Sequence, residues 1–261
     1  MGDGCKRALT PRHLVALPRL MVTGASGQLG HELGAALARE ASFEVIALDH
    51  GALPVDDLSA VMGAFQQIAP AVAIHAAAMT DVDACERDPT RARAVNATGT
   101  ANVTKAAQAH GTHVVYVSTD YVFDGQAHRP YKETDEANPI SVYGQTKLAG
   151  ESACAPTATI VRTSWLAGGH GRNFVSAITA AAKGGGQLRV VDDQRARPTF
   201  CEDLASAIVA LAKERRPGCF HVANSGDASR FELAVAILSC LGEDADRVVA
   251  ASTQELDPPR P

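Results

Sequence analysis

Leu20-Met21-Val22-Thr23-Gly24-Ala25-Ser26-Gly27-Gln28-Leu29-Gly30 is the stretch whose reading decides the fold. An apolar run of strand character, Leu20–Thr23, passes through a glycine-rich turn into an amphipathic helical segment, Leu29–Arg39. Gly24 permits a tight turn, Gly27 lets backbone approach a pyrophosphate, and Gly30 permits close helix packing. The strand-before, helix-after placement predicts a dinucleotide-binding turn; a glycine string of purely structural use is the alternative. Asp49 closes the next strand segment 19 residues after Gly30. A carboxylate there can accept from an adenosine ribose hydroxyl, against the plainer reading of a solvated loop aspartate.

Outward from this turn the chain alternates apolar strands with amphipathic helices. The strands are predicted at Leu20–Thr23, Phe43–Leu48, Val72–His75, Val114–Val117, Thr159–Arg162 and Leu188–Val191. Helices are predicted at Leu29–Arg39, Leu58–Ile68, Arg91–His110, Ser141–Ser152, Asn173–Ala182, Glu202–Lys213 and Arg230–Leu241. This pattern is that of an α/β protein: a doubly wound, Rossmann-type parallel sheet with a smaller C-terminal substrate lobe. The predicted division is an irregular extension over 1–18, a dinucleotide-binding domain over 19–167 with parts of 201–218, and a lobe from 168–200 and 219–261. Gly168-Gly169-His170-Gly171 and Gly184-Gly185-Gly186 mark the change of pattern.

Bulk properties narrow the function. A net charge of −5 without a Lys/Arg cluster gives no footprint for nucleic acid. No apolar run approaches the roughly 18 residues of a membrane span, and Leu14–Leu17 is too short for a signal-peptide core. The six cysteines show no CxxC pair or metal-ligand spacing, as expected of free thiols in a reducing cytoplasm.

The chemistry concentrates after the fourth predicted strand. Ser118-Thr119-Asp120-Tyr121-Val122-Phe123-Asp124-Gly125 follows Val114–Val117, and Tyr143-Gly144-Gln145-Thr146-Lys147 opens a helix. Tyr143 and Lys147 lie four residues apart on one helical face. A phenol has a pKa near 10, and a neighbouring ammonium is expected to lower it towards the range useful for acid–base work. Thr119, rather than Ser118, is expected to orient a substrate carbonyl. An exposed helical Tyr/Lys pair is the plain alternative, but the strand-end hydroxyl and the glycine turn favour carbonyl reduction beside a nicotinamide.

His75-Ala76-Ala77-Ala78-Met79-Thr80-Asp81 has small side chains that suit either close passage beneath a cofactor or tight helix–sheet packing; His75 reads as a hydrogen-bonded packing residue. Trp165, the only tryptophan, follows the fifth strand, where an indole can stack on a sugar or base instead of filling core. Asn173-Phe174 and the run Val191–Thr199 are further substrate-side candidates; Arg195 and Arg197 can meet a diphosphate or stand as solvated surface arginines. For the cofactor, Asp49 favours the 2′-hydroxyl of NAD. No arginine follows it directly, although Arg39 can fold back, so NADPH and NADH both remain open.

Taken together, TGASGQLG, AAAMTDVDACE, AVNATGT, STDYVFDG, NPISVYGQTK, VRTSW and the DDQ…PT run resemble the extended short-chain dehydrogenase/reductases, and more narrowly the dTDP-4-dehydrorhamnose reductase family. That resemblance covers roughly Leu20 to Pro261. It implies that Gly27, Gln28, Leu29, Asp49, Ala78, Met79 and Thr80 line the cofactor, beside the turn glycines Gly24 and Gly30. It implies Tyr143 as proton donor, assisted by Thr119 and Lys147, with Asp120 and Trp165 on the nucleotide-sugar. The implied reaction on this dTDP-4-keto-6-deoxysugar is hydride transfer from a reduced nicotinamide to C4 of dTDP-4-dehydro-L-rhamnose, yielding dTDP-L-rhamnose, by a monomer or homodimer. Some relatives hold magnesium at a dimer interface; Glu32 and Glu202 match two of those ligand positions, and the third would lie beyond Pro261.

The chain departs from the family pattern at Arg195-Ala196-Arg197, where a glycine is usual, at Pro54-Val55, and at its early end, which is expected to leave the lobe short. Two other readings are weighed: a 4-ketoreductase for another dTDP-deoxysugar, and a non-catalytic binding subunit like the regulatory subunit of methionine adenosyltransferase. Retention of Thr119, Tyr143, Lys147 and Trp165 favours catalysis.

Overall fold

The computed structural model describes residues 16–154 and 156–255; most of the expected extension over 1–18 and the Pro259–Pro261 end lie outside the described residues. Six strands form one sheet: β1 (Arg19–Thr23), β2 (Glu44–Leu48), β3 (Val72–His75), β4 (His113–Thr119), β5 (Thr159–Thr163) and, after four short strands of the second lobe, β10 (Gly218–His221). The order is β10-β5-β4-β3-β1-β2, and every pairing is parallel. This is the expected Rossmann-type sheet. β10 extends it beyond β5, pairing Phe220 with Val161; its Gly-Cys-Phe-His sequence is too short and mixed for periodicity to reveal.

Helices cover both faces: α1 (Gln28–Ala38), α2 (Leu58–Ile68), α3 (Val82–Arg87), α4 (Pro89–Ala92), α5 (Gly99–His110), α6 (Val142–Cys154) and α8 (Cys201–Glu214), with α7 (Phe174–Ala182) in the second lobe. Alternation along β1 explains the two layers. Leu20 and Val22 bury against Leu33, Leu37, Leu204 and Ile208, whereas Met21 points to Phe65, Val103 and Tyr116 on the other face. Capping sets several helix ends: Asp57 accepts from the Ser59 and Ala60 amides at 2.8 and 3.1 Å to start α2, and Ala69 ends it in the left-handed region. The helix expected over Arg91–His110 is α4 and α5 joined by a π-helical turn, Arg93–Thr98, with α3 ahead of it. Asp81 and Asp88 cap α3 and α4, two short helices that begin ahead of the predicted Arg91.

The short strands are β6 (Leu166–Ala167), β7 (Leu188–Val191), β8 (Arg195–Ala196), β9 (Thr199–Phe200), β11 (Ala228–Ser229) and β12 (Val248–Ala251). They pair two by two outside the main sheet, β7 with β12, β8 with β11 and β6 with β9. β7 and β12, with α7 and α9 (Arg230–Leu241), enclose a core of their own, Ile178, Ala182, Val190, Ala234, Leu238 and Val248, whereas Leu166 of β6 packs against the core of the main sheet. β2 and β3 flank β1 on opposite sides, so the strand order reverses there. A crevice therefore opens at the carboxyl ends of β1 and β3, where ligands of such sheets bind.

Candidate active site

At that crevice Thr23 and His75 stand side by side in register, and the turns that follow them touch. Gly24 has φ +73°, and a Cβ there would meet the Ala77 nitrogen at 2.7 Å; one on Gly30 would meet the Gly24 carbonyl oxygen at 2.3 Å. Both positions thus require glycine. Gly27 caps α1 without a side-chain acceptor, which suits first-turn amides to an anionic phosphate. Leu29 is buried beneath the turn. Asp49, exposed just after β2, accepts from the Ala52 amide at 2.9 Å. These features fit a nicotinamide dinucleotide.

Beyond β3, Ala78 and Met79 are half-buried and Thr80 is exposed. Their backbone is held by Asn96, a fully buried residue that the sequence analysis quoted only inside a motif. Its Oδ1 accepts from the Met79 amide at 2.8 Å, and its Nδ2 donates to the Met79 carbonyl at 3.0 Å and to Thr146 Oγ1 at 3.1 Å. The π-helical turn sets Asn96 there. His75 is a packing residue. Thr100 Oγ1 donates to the Asn96 carbonyl at 2.6 Å, so it accepts from His75 Nε2, and His75 Nδ1 accepts from Thr23 Oγ1 at 2.7 Å. Burial, with Lys147 nearby, pushes its pKa down to about 3, which keeps that imidazole neutral.

The carboxyl end of β4 and the start of α6 bring Thr119, Tyr143 and Lys147 together. Thr119 is buried; its Oγ1 donates to Asp120 Oδ1 at 3.2 Å and accepts from the Tyr121 amide at 3.2 Å. Tyr143 is buried beside it, with the Tyr121 ring edge-on at 5.6 Å. Lys147, 2% exposed, donates from Nζ to the Val117 carbonyl at 2.7 Å and lies 4.1 Å from the Tyr116 ring centroid.

The ammonium was expected to lower the Tyr143 pKa, and this is corrected. Burial raises the phenol well above its ordinary value, and the Thr119 hydroxyl only partly opposes that rise. Lys147 turns to the β4 backbone, and burial brings its own pKa down to about 7. The phenol therefore keeps its proton at neutral pH, as a donor must.

On the substrate side, Asp120 is half-buried, and burial pushes its carboxyl up to about 6 against the opposing effects of Thr119 and Arg230. Trp165 sits half-buried just past β5 with φ 43°, left-handed for a non-glycine residue. Asn173 caps α7 in a capping box with Ser176, and its Nδ2 donates to Gln28 Oε1 at 2.6 Å and to the Gly168 carbonyl at 3.0 Å. Arg195 is committed to Asp227 and Glu232 on the surface. Glu202 approaches Arg39 at 4.0 Å. Among the described residues no three His, Cys, Asp or Glu side chains assemble a metal site around Glu32 or Glu202, so no step is derived through magnesium.

Sequence reasoning missed the support behind this site. Arg162 of β5 forms a buried bidentate pair with Glu151 of α6, at 2.9 Å from Nε and 2.7 Å from Nη2. Ser118 Oγ donates to the same carboxylate at 2.5 Å. Glu151 lies four residues after Lys147, a spacing that signals a shared face without naming the partner. Arg230 at the start of α9 was missed as well.

The fold and this site define a short-chain dehydrogenase/reductase of the extended type. Residues 18–261 match the family model for the RmlD substrate binding domain, and the chain belongs to that family. It is 42% identical over 252 residues to a dTDP-4-dehydrorhamnose reductase of Mycobacterium tuberculosis, covering 93% of this chain and 82% of that protein. It is 40% identical over 237 residues to a probable dTDP-4,6-dihydroxy-2-methyloxan-3-one 4-ketoreductase of Streptomyces antibioticus, covering 88% and 79%. The crystal structure of dTDP-4-dehydrorhamnose reductase from Bacillus anthracis in complex with NADP superposes with a TM-score of 0.88 at 38% identity, covering 92% of this chain and 85% of that one.

Proposed function

We propose that this chain reduces the C4 ketone of dTDP-4-dehydro-L-rhamnose to give dTDP-L-rhamnose, using NADPH or NADH. The observation that carries the reading is the convergence of Thr119, Tyr143 and Lys147 at the carboxyl end of β4, beside the glycine turn of β1. The likeness to the Mycobacterium tuberculosis reductase supports the choice of sugar.

When bound, the nicotinamide supplies a hydride to the ketone carbon. The chain's residues manage the proton and the geometry. Thr119 Oγ1, fixed by the Tyr121 amide, orients the carbonyl oxygen, and Tyr143 gives that oxygen its phenolic proton. Thr119 then stabilises the phenolate by hydrogen bond, while Lys147, four residues along α6, holds the β4 backbone beside it through the Val117 carbonyl. Gly24, Gly27, Gln28, Leu29 and Gly30 hold the pyrophosphate, Asp49 the adenosine ribose, and Ala78, Met79 and Thr80 pass beneath the cofactor on the backbone that Asn96 secures. Asp120, Trp165 and Asn173 line the sugar side.

Among the described residues no helix is long and apolar enough to cross a membrane. The reading places the enzyme in the cytoplasm as a monomer or homodimer, without nucleic-acid or membrane partners. Sedimentation of the purified protein distinguishes the two assembly states.

The test is loss of 340 nm absorbance with enzymatically generated dTDP-4-dehydro-L-rhamnose, with NADPH and NADH compared. Turnover of that ketosugar in preference to other dTDP-4-ketosugars is the expected result. Faster turnover of another dTDP-4-ketosugar would favour a 4-ketoreductase role like that of the Streptomyces antibioticus relative. Tight cofactor binding with no reduction of any ketosugar would move the chain to a binding role.

A further inference from the structure

We propose that Glu86 is a positioning residue for the reaction: from α3 it holds the first turn of α6, which carries Tyr143, in place against the loop that lines the cofactor. The inference rests on the reading above and adds a residue to it. Glu86 Oε1 accepts from the Val142 amide at 2.7 Å, across 56 residues of chain, and Val142 directly precedes the proton donor. Starting α6 does not need this bond. Ser141 is the local cap: its Oγ accepts from the Gly144 amide at 3.1 Å, and its carbonyl accepts from the Gln145 amide at 2.9 Å. The Glu86 carboxylate takes a further first-turn amide, one that no residue of α6 can satisfy. Its charge also meets the positive end of the helix dipole. What the bond adds is the placement of α6 against α3.

α3 is in turn tied to the cofactor side. It follows Ala78, Met79 and Thr80 almost directly, and Asp81 caps it by accepting from the Ala84 amide at 2.8 Å. The thiol of Cys85, next to Glu86, donates to the Met79 carbonyl at 3.6 Å, and that carbonyl also accepts from Asn96 Nδ2 at 3.0 Å. Cys85 and Tyr143 are buried in one cluster, with Met79, Tyr121 and Val142 packed against it. The same turn of α6 lies against the turn that follows Thr119, because a Cβ on Gly144 would overlap the Tyr121 carbonyl oxygen. Apolar packing around the ring is non-directional, whereas the Glu86 bond is directional and fixes the backbone one residue before the phenol. A proton donor displaced by a fraction of an ångström transfers more slowly, while the substrate still binds.

The experiment compares wild type, Glu86→Gln and Glu86→Ala by amide hydrogen exchange, followed by NMR, and by steady-state kinetics with NADPH and dTDP-4-dehydro-L-rhamnose in light and heavy water. Glu86 is exposed, so neither change opens the core. In Glu86→Ala the Val142 amide should exchange about 3- to 10-fold faster, as expected for loss of one exposed bond to a charged acceptor. Its kcat should fall about 3- to 10-fold with both KM values within about twofold, and the solvent isotope effect on kcat should grow as proton transfer slows. Glu86→Gln keeps an accepting side-chain oxygen and should recover most of both losses. Unchanged Val142 exchange or unchanged kcat in Glu86→Ala would overturn the proposal, as would a rise in KM at constant kcat, or equal losses in the two variants. Any of these beside an active wild type would sink this inference alone. A wild type that reduces no ketosugar would sink the proposed reaction. The Val142 exchange rates then decide the anchoring by themselves: faster exchange in Glu86→Ala with recovery in Glu86→Gln upholds it, and equal rates overturn it.

Discussion

Asn173 donates its side-chain amide to Gln28 Oε1 at 2.6 Å, joining the second lobe to the glycine turn across 145 residues of chain. The same amide donates to the Gly168 carbonyl, while Oδ1 caps α7 by accepting from the Ser176 amide at 2.9 Å. One side chain therefore starts a helix and couples the lobe to the cofactor loop. Asn173→Ala should lower stability by about 1–2 kcal/mol through loss of both. Asn173→Asp keeps the cap and loses the donor, so it should unfold near the wild-type urea midpoint but bind NADPH more weakly. Equal NADPH affinity in Asn173→Asp and wild type would show that the bridge does not couple the two lobes.

Tyr143→Phe should lower kcat by about 10²- to 10⁴-fold, the span expected for loss of a positioned proton donor. NADPH affinity should stay within about threefold, because the phenyl ring still fills the same buried space. Thr119→Val should cost about 10²-fold through loss of the orienting donor. Stopped-flow fluorescence for binding and 340 nm absorbance for turnover separate these effects. A Tyr143→Phe enzyme of near-normal kcat would remove the phenol from the mechanism.

Asp120 titrates near 6 in the folded protein, against an ordinary value near 4. The folded state therefore binds the proton more tightly than the unfolded chain between these values. The stabilisation is present below about pH 4 and is lost as pH rises through about 6. Asp120→Asn should flatten the fall in stability from pH 4 to pH 7 by up to about 2 kcal/mol, a figure reduced for partial exposure. Urea midpoints at each pH in wild type and variant measure it; parallel curves would show that Asp120 does not titrate there.

The Glu151–Arg162 pair is buried on both sides, with one guanidinium nitrogen, Nη1, unbonded. Glu151→Gln leaves the arginine charge buried without its counter-ion and should cost about 3–5 kcal/mol. Glu151→Leu combined with Arg162→Met removes both charges and should cost less than the sum of the single changes. Strict additivity in the urea midpoints would mean that the two side chains act independently.

Much of this molecule was legible in the chain because its signals are local. A strand, a turn demanding positive φ at Gly24 and a helix packing through Gly30 lie within a dozen residues, and alternation along Leu20-Met21-Val22 marks two buried faces. Tyr143 and Lys147 share a helical face by spacing alone. Where Lys147 sends its ammonium was not legible: the partner is the Val117 carbonyl, 30 residues earlier. Its absence from the phenol's surroundings leaves burial to govern the Tyr143 pKa.

By itself the sequence determined the Rossmann-type α/β class, the glycine turn and the shared helical face of Tyr143 and Lys147, since periodicity and backbone constraint act over a few residues. Only the tertiary structure decided that β10 closes one sheet edge, that Arg162 pairs with Glu151, that Gln28 meets Asn173, and that Arg230 rests on Trp165. A hydrophobic pattern states which face of an element is buried, not what it is buried against. Hydrogen bonds, ion pairs and ring contacts require two groups at a few ångströms, and that separation is set by how the elements pack.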